Sequence, residues 1–197
     1  GTTMKLDSQL HITPGKPFTV LQLTDMQVID ADQRRRPDRL RQDEIDAWKT
    51  ENVEMCAYTP IRAGVEKTNP DLIIITGDIV YGEFDDSGRI LRLFVEFMES
   101  LNIPWAPVFG NHDKESRIGI SAICELFESA PNCLFGTETD AFKDGESNYA
   151  VRIYQGDRLV EMVYMLDTKG CTRATDENIR RPAEITEGQC RFIERAA

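Results

Sequence analysis

Four consecutive aliphatic residues, Leu72-Ile73-Ile74-Ile75, leave no polar face on the segment that carries them. A strand of that kind belongs inside a parallel sheet covered on both sides, not at a half-solvated edge. Parallel neighbours need crossover connections of about a dozen residues or more, and the chain supplies them. Before the run, helical periodicity extends from Pro37 to Lys67 through Leu40, Ala47, Trp48 and Met55. After it, Ile90, Leu91, Phe94, Val95, Phe97, Met98 and Leu101 mark one broad helix face. Val20–Leu23 and Trp105–Phe109 read as further strands, and 118–128 as the helix after the second of them. Alternation of strand and helix predicts an α/β fold with a parallel sheet.

The remaining segments carry local signals. Gln9–Ile12 and Pro17–Leu23 flank Thr13-Pro14-Gly15-Lys16, a turn sequence, and are expected to pair as a hairpin with His11 near its edge. Thr59-Pro60 is expected to break the first helical stretch, and Asn69-Pro70 to end it. Tyr149–Tyr154 and Leu159–Leu166, joined by Gln155-Gly156-Asp157-Arg158, predict a second hairpin. Cys171–Glu184 is polar enough to be a long loop, and Thr186-x-x-Gln189 is a capping box opening a last helix. Residues 1–197 read as one domain, with Gly1-Thr2-Thr3 before Met4 set aside as an expression scar.

Composition narrows the partners. With 23 Lys and Arg against 34 Asp and Glu, the net charge is −11, which argues against binding duplex nucleic acid by counterion release. No aliphatic run approaches the ~20 residues of a membrane helix, so no membrane partner is expected. Five cysteines without C-x-x-C spacing predict thiols in a reducing compartment, hence a cytoplasmic protein; a secreted one with a trimmed leader is the alternative.

Chemistry concentrates where three strands end. Thr24-Asp25-Met26-Gln27, Gly77-Asp78 and Gly110-Asn111-His112-Asp113 each follow an apolar strand, and ligands of open α/β sheets bind outside such carboxyl ends. Asp25, Gln27, Asp78 and Asn111 are oxygen donors suited to hard divalent ions. His112 beside them is a candidate acid for a leaving oxygen, with Asp113 expected to hold its tautomer. Each residue alone also fits plain turn or cap chemistry; three strand ends in order do not.

These motifs resemble those of the calcineurin-like metallophosphoesterase superfamily, whose pattern is D-x-H, G-D and G-N-H-[D/E]. Asp167-Thr168 after the second hairpin and Gly188-Gln189 entering a helix resemble further features of it. The resemblance covers roughly Phe18 to Phe192. It implies an α/β/β/α sandwich that hydrolyses phosphomonoesters or phosphodiesters at two divalent ions. Asp25 and Gln27 would then hold one ion, Asp78 would bridge, and Asn111 would bind the second ion and the substrate. His112 would assist the leaving group.

Two departures qualify the resemblance. Gln27 stands where most members have His; an amide oxygen in place of imidazole favours Mn²⁺ or Mg²⁺ over zinc, with iron a further option. The family completes its site with a later His and a G-H-x-H motif, yet no histidine follows His112. The resemblance therefore implies a sandwich incomplete at its C-terminus, short of up to three ligands, with weakened metal affinity and doubtful activity alone. A non-catalytic scaffold, as the retromer subunit is in the same superfamily, is the alternative function. In that alternative, apolar surface left at the open helix end and the missing strands would invite self-association or a partner supplying the missing half. Arg34, Arg35 and Arg36, in the insertion after the first motif, are candidate phosphate contacts; the competing reading is a salt-bridged helix start, with Arg39 pairing Asp43.

Overall fold

Leu72–Ile75 forms the middle strand of a parallel sheet, as its unbroken apolar character requires. In the computed structural model, which describes residues 7–32, 37–136, 147–168, 171–173, 180–182 and 185–197, the chain begins with β1 (Asp7–His11) and β2 (Val20–Leu23). Next come α1 (Gln42–Ala47), α2 (Thr50–Val53), α3 (Thr59–Thr68), β3 (Leu72–Ile75), α4 (Arg89–Ser100), β4 (Trp105–Pro107) and α5 (Ile120–Ser129). The hairpin β5 (Asn148–Gln155) and β6 (Arg158–Leu166), a short pair β7 (Cys171–Arg173) and β8 (Arg180–Pro182), and α6 (Glu187–Ala196) complete the described elements.

The strands form two layers. One sheet has the order β2-β3-β4, parallel throughout, with Leu21 opposite Ile73 and Ile75 opposite Pro107. The other has the order β1-β5-β6. Helices α3, α4 and α5 accompany the parallel sheet and α6 packs on β5, which is the expected α/β/β/α arrangement. Six residues of α4 are buried, among them Phe94 and Met98, both fully enclosed. An aromatic series crosses the layers: Trp105 meets Phe127 edge-on at 5.8 Å, Phe127 meets Phe135 at 5.3 Å, and Phe135 meets Tyr149 at 5.7 Å. At its end, the buried Tyr149 hydroxyl of β5 donates to the Pro107 carbonyl of β4 at 2.6 Å, a direct bond between the two sheets.

Several expectations need correction. The first hairpin does not form: the turn closes, Lys16 N–H donating to Thr13 O at 3.1 Å, but β1 runs parallel to β5 while β2 pairs with β3. Turn chemistry fixes the reversal, not the partner, and two sheets compete for these strands. His11 is exposed on the edge strand, stacked on Tyr154 at 5.7 Å. Pro60 does not break the helix. A π-helical turn, Glu54–Tyr58, leads straight into α3 and places Pro60 in its first turn, where no N–H is needed. The interruption falls earlier, at Trp48-Lys49. Part of the supposed polar loop pairs instead, with Thr172 opposite Arg181. The second hairpin, the Asn69 helix stop and the Thr186–Gln189 capping box form as read. Gly1-Thr2-Thr3 lies outside the described residues.

Replacing Tyr149 by Phe strips the Pro107 carbonyl of its inter-sheet donor without opening a cavity. We expect a loss of about 1–2 kcal/mol, read as a lower denaturation midpoint with unchanged m-value.

Candidate functional site

Asp25, Gln27 and Asp78 share a backbone conformation that L residues avoid, with φ of 52°, 45° and 52°. Left-handed geometry at non-glycine residues costs about 1 kcal/mol or more each and persists only where the surroundings enforce it. Here the enforcement is main-chain. Beyond the ends of β2 and β3 the two loops continue side by side. Asp25 N–H donates to Gly77 O (3.1 Å), Gln27 N–H to Asp78 O (2.9 Å) and Val28 N–H to Ile79 O (2.9 Å). The loop then ends on Asp30, a buried carboxylate that accepts from Arg89 Nε at 3.1 Å at the start of α4.

The third strand end is tied to the second through Asp113. Its carboxylate, 3% exposed, accepts four main-chain N–H groups: Asp78 (2.8 Å) and Gly110 (2.8 Å) on one oxygen, Ile79 (2.8 Å) and Val80 (3.2 Å) on the other. Burial pushes its pKa up to about 6 against the pull of those donors, and the Asp78 charge adds to the rise. It is therefore the ionised acceptor at neutral pH. The loops approach so closely that a side chain at Gly110 would lie 2.0 Å from Asp78 Oδ1, and one at Gly77 would lie 2.6 Å from Gly110 N. Glycine at both positions is what lets the two strand ends touch.

His112 sits on this knot. Its N–H donates to Asp78 Oδ1 at 3.0 Å, and its carbonyl accepts from Gly82 N–H at 3.1 Å. The imidazole stacks on Tyr81, ring centroids 3.9 Å apart and planes 26° from parallel. Its Nδ1 lies 2.8 Å from Glu115 Oε2. The expectation that Asp113 orients the imidazole is thus corrected: both oxygens of Asp113 are taken by the backbone, and Glu115 is the carboxylate on the ring. Asp78 is buried, Gln27 is half-buried, and Asp25 and Asn111 are exposed.

A second set of contacts binds the other sheet to the same loop. Lys114 Nζ meets the fully buried Asp167 carboxylate at 2.8 and 2.6 Å. Gln189, in the first turn of α6 and fully buried, donates through Nε2 to Asp167 O (2.7 Å) and Asn148 Oδ1 (3.1 Å).

Arg34, Arg35 and Arg36 lie outside the described residues. Arg39 pairs with Glu83, not Asp43, which is held by Arg41 at 3.1 Å. Sequence patterns give no sign of the Tyr81 ring contact or of the Lys114 ion pair; for Glu115 the signal is its place three residues after His112, in one helical turn.

Chemically, the site offers two carboxylates, Asp25 and Asp78, and two amides, Gln27 and Asn111. Among the described residues, no three His, Cys, Asp or Glu side chains gather in a geometry that could hold a metal ion. An all-oxygen donor set, three of whose four members are held in left-handed backbone, fits the chemistry of a hard divalent cation.

Comparison with known proteins agrees with this geometry. The sequence profile described as calcineurin-like phosphoesterase matches residues 18–177. The chain is 37% identical over 106 residues to the Arabidopsis thaliana protein named probable inactive purple acid phosphatase 28, covering 48% of this chain and 26% of that protein. It is 32% identical over 90 residues to probable inactive purple acid phosphatase 29 of the same plant, covering 43% and 23%. With phosphatase DCR2 of Saccharomyces cerevisiae it shares 31% over 109 residues, covering 50% and 18%. The matches thus span about a quarter or less of these relatives' lengths. No solved structure gives a significant match.

Asp113→Asn turns one doubly bonded acceptor into an NH₂ group facing two N–H donors. We expect a loss of about 2–4 kcal/mol by urea denaturation, with or without added metal; a change under ~0.5 kcal/mol would refute the structural role.

Proposed function

Because the chain belongs to the calcineurin-like phosphoesterase family, we propose that it is a metal-dependent phosphoric ester hydrolase acting through a dinuclear divalent centre. Mn²⁺ is the favoured ion, and phosphomonoesters or phosphodiesters are the substrates. The observation that carries this reading is the left-handed backbone shared by Asp25, Gln27 and Asp78 on adjoining strand ends. Turn chemistry alone gives no reason for three oxygen-bearing side chains to hold that conformation side by side.

Asp25 and Gln27 would hold one ion, Asp78 would be shared by both, and Asn111 would serve the second ion and a phosphate oxygen. When bound, such ions neutralise phosphate charge and make a bound water acidic enough to attack at neutral pH. His112 acts from the protein side. With Nδ1 held by Glu115 and one face covered by Tyr81, it keeps Nε2 as the nitrogen that passes a proton to the leaving oxygen. Glu115 holds the ring in place for that transfer.

A second reading is a scaffold that keeps the fold without turnover. The names of the Arabidopsis relatives, each a probable inactive phosphatase, favour it, as does the small number of carboxylates at the site.

Two measurements on the 197-residue chain separate these readings. In the first reading Mn²⁺ raises the Tm and supports hydrolysis of an aryl phosphate. Asp78→Asn abolishes the shift and lowers kcat/KM by about 100-fold or more. Mn²⁺ binding without turnover would assign the scaffold reading to this 197-residue chain, whose site lacks the family's later histidines.

A further inference from the structure

A cavity of about 340 Å³ opens directly beside Asp25 and Gln27. Its size is in the range of sites for small organic ligands. Its walls come from three places. Met26 and Ile29 belong to the first metal-motif loop, Leu40 and Trp48 to the segment around α1, and Tyr81 and Phe84 to the loop after Asp78. Tyr81 is the ring that stacks on His112, so one side chain touches the imidazole and lines the cavity.

The charges around this space decide what it can hold. Arg39 lines it, but its guanidinium is paired with Glu83. Glu44 lines it too, with Oε2 accepting the Arg41 N–H at 2.8 Å. Asp25 adds another carboxylate. Among the described residues, the only cation on the wall is thus already matched and two further acids remain, so this part of the wall is a poor setting for a second phosphate. The accessible wall is mostly polar, and its apolar part, supplied by Leu40, Trp48 and Tyr81, is where an uncharged ring would lie.

We infer that this cavity receives a planar aromatic ring on the leaving group of the phosphoester, stacked against Trp48 and Tyr81. The inference rests on the phosphoesterase reading and specifies its substrate class. A phosphate at the Asp25–Asp78 donors would then point its leaving oxygen past His112, whose stacking partner already forms a wall of the cavity. Trp48 and Leu40 act as specificity residues, and the segment around α1 as the element that sets which ester is chosen. The ring has two possible chemical sources, a phenol or a nucleoside, and both present the same planar surface.

The test uses turnover and binding separately. With Mn²⁺ present, kcat/KM is measured for 1-naphthyl phosphate, adenosine 5′-monophosphate and glycerol phosphate. Trp48→Ala is expected to lower the ratio of ring-bearing to ring-free ester by about tenfold, and Trp48→Phe, which keeps a ring, to restore most of it. Binding is followed by tryptophan fluorescence in the unsubstituted chain with Mn²⁺, using phosphonates, which are not hydrolysed. Phenylphosphonate or the phosphonate analogue of adenosine 5′-monophosphate should perturb the emission, methylphosphonate should not, and Trp48→Phe should remove the response, because Trp105 is enclosed in the core. A stronger response to the nucleotide analogue assigns the nucleoside source, and a stronger response to phenylphosphonate the phenolic one. If turnover is absent but ring ligands perturb Trp48, the ring pocket stands and the hydrolase reading falls. If all esters turn over with an unchanged ratio and the emission does not move, the pocket is overturned while the hydrolase reading survives.

Discussion

One buried carboxylate holds the site together. Asp113 gathers four main-chain N–H groups from two strand ends. In a parallel sheet the strand ends fan out, and their terminal N–H groups have lost the ladder that would satisfy them. A neutral acceptor would have too little strength to draw four of them to one point; an ionised one does. Once that knot is tied, Asp78 is held in left-handed backbone and His112 lies over it. The first loop pairs onto the second because Asp78 and Ile79 now offer their carbonyls outward to Gln27 and Val28.

The strain stored there is small beside the structure that sustains it. Three left-handed residues together cost a few kcal/mol, on the order of burying one or two large side chains fully. Two buried connections carry the sandwich's rigidity to the loop. Tyr149 bonds the sheets directly at Pro107, and Asp167, with Lys114 on one side and Gln189 on the other, joins the residue after Asp113 to α6. Glycines at 77 and 110 clear the space. The donors thus sit on a frame braced from both layers, and a site that must bind charge without moving needs such bracing.

How much of this could be read from the chain depended on the range of the interactions. The parallel sheet, the α4 face and the second hairpin follow from patterns a few residues long, so Leu72–Ile75 and Phe94 announce their places directly. The first hairpin failed because its turn is real but its strands' partners lie far away in sequence: Ser8 faces Val151, and Val20 faces Leu72. Pro60 misled for a related reason, since the π-turn before it removes the hydrogen bond that proline would have broken. At the site, the donor residues were visible because they stand at strand ends, whereas the orienting carboxylate was not. Asp113 and Glu115 are two residues apart and chemically equivalent on paper; only the folded backbone directs one to amide groups and the other to imidazole. Arg39 found Glu83, 44 residues away, over the acid at i+4.

Charge gives the remaining link between fold and chemistry. A chain of net charge −11, with Asp25, Asp78 and Glu115 clustered on one edge of the sandwich, repels a phosphate ester unless a cation intervenes. Under the proposed function, two carboxylates among four donors would attract a divalent ion, and that ion would supply the positive field the described site lacks. Anion affinity in such a site is therefore linked to cation affinity. In that reading, the −11 charge makes the metal the route by which the described donors could hold a small phosphate ester. Specificity has then to come from surface that carries no net positive charge, and beside these donors the described surface of that kind is the aromatic wall of Trp48, Tyr81 and Phe84. Under the proposed function, Tyr81, which caps His112, would thus help select a substrate by shape rather than by charge.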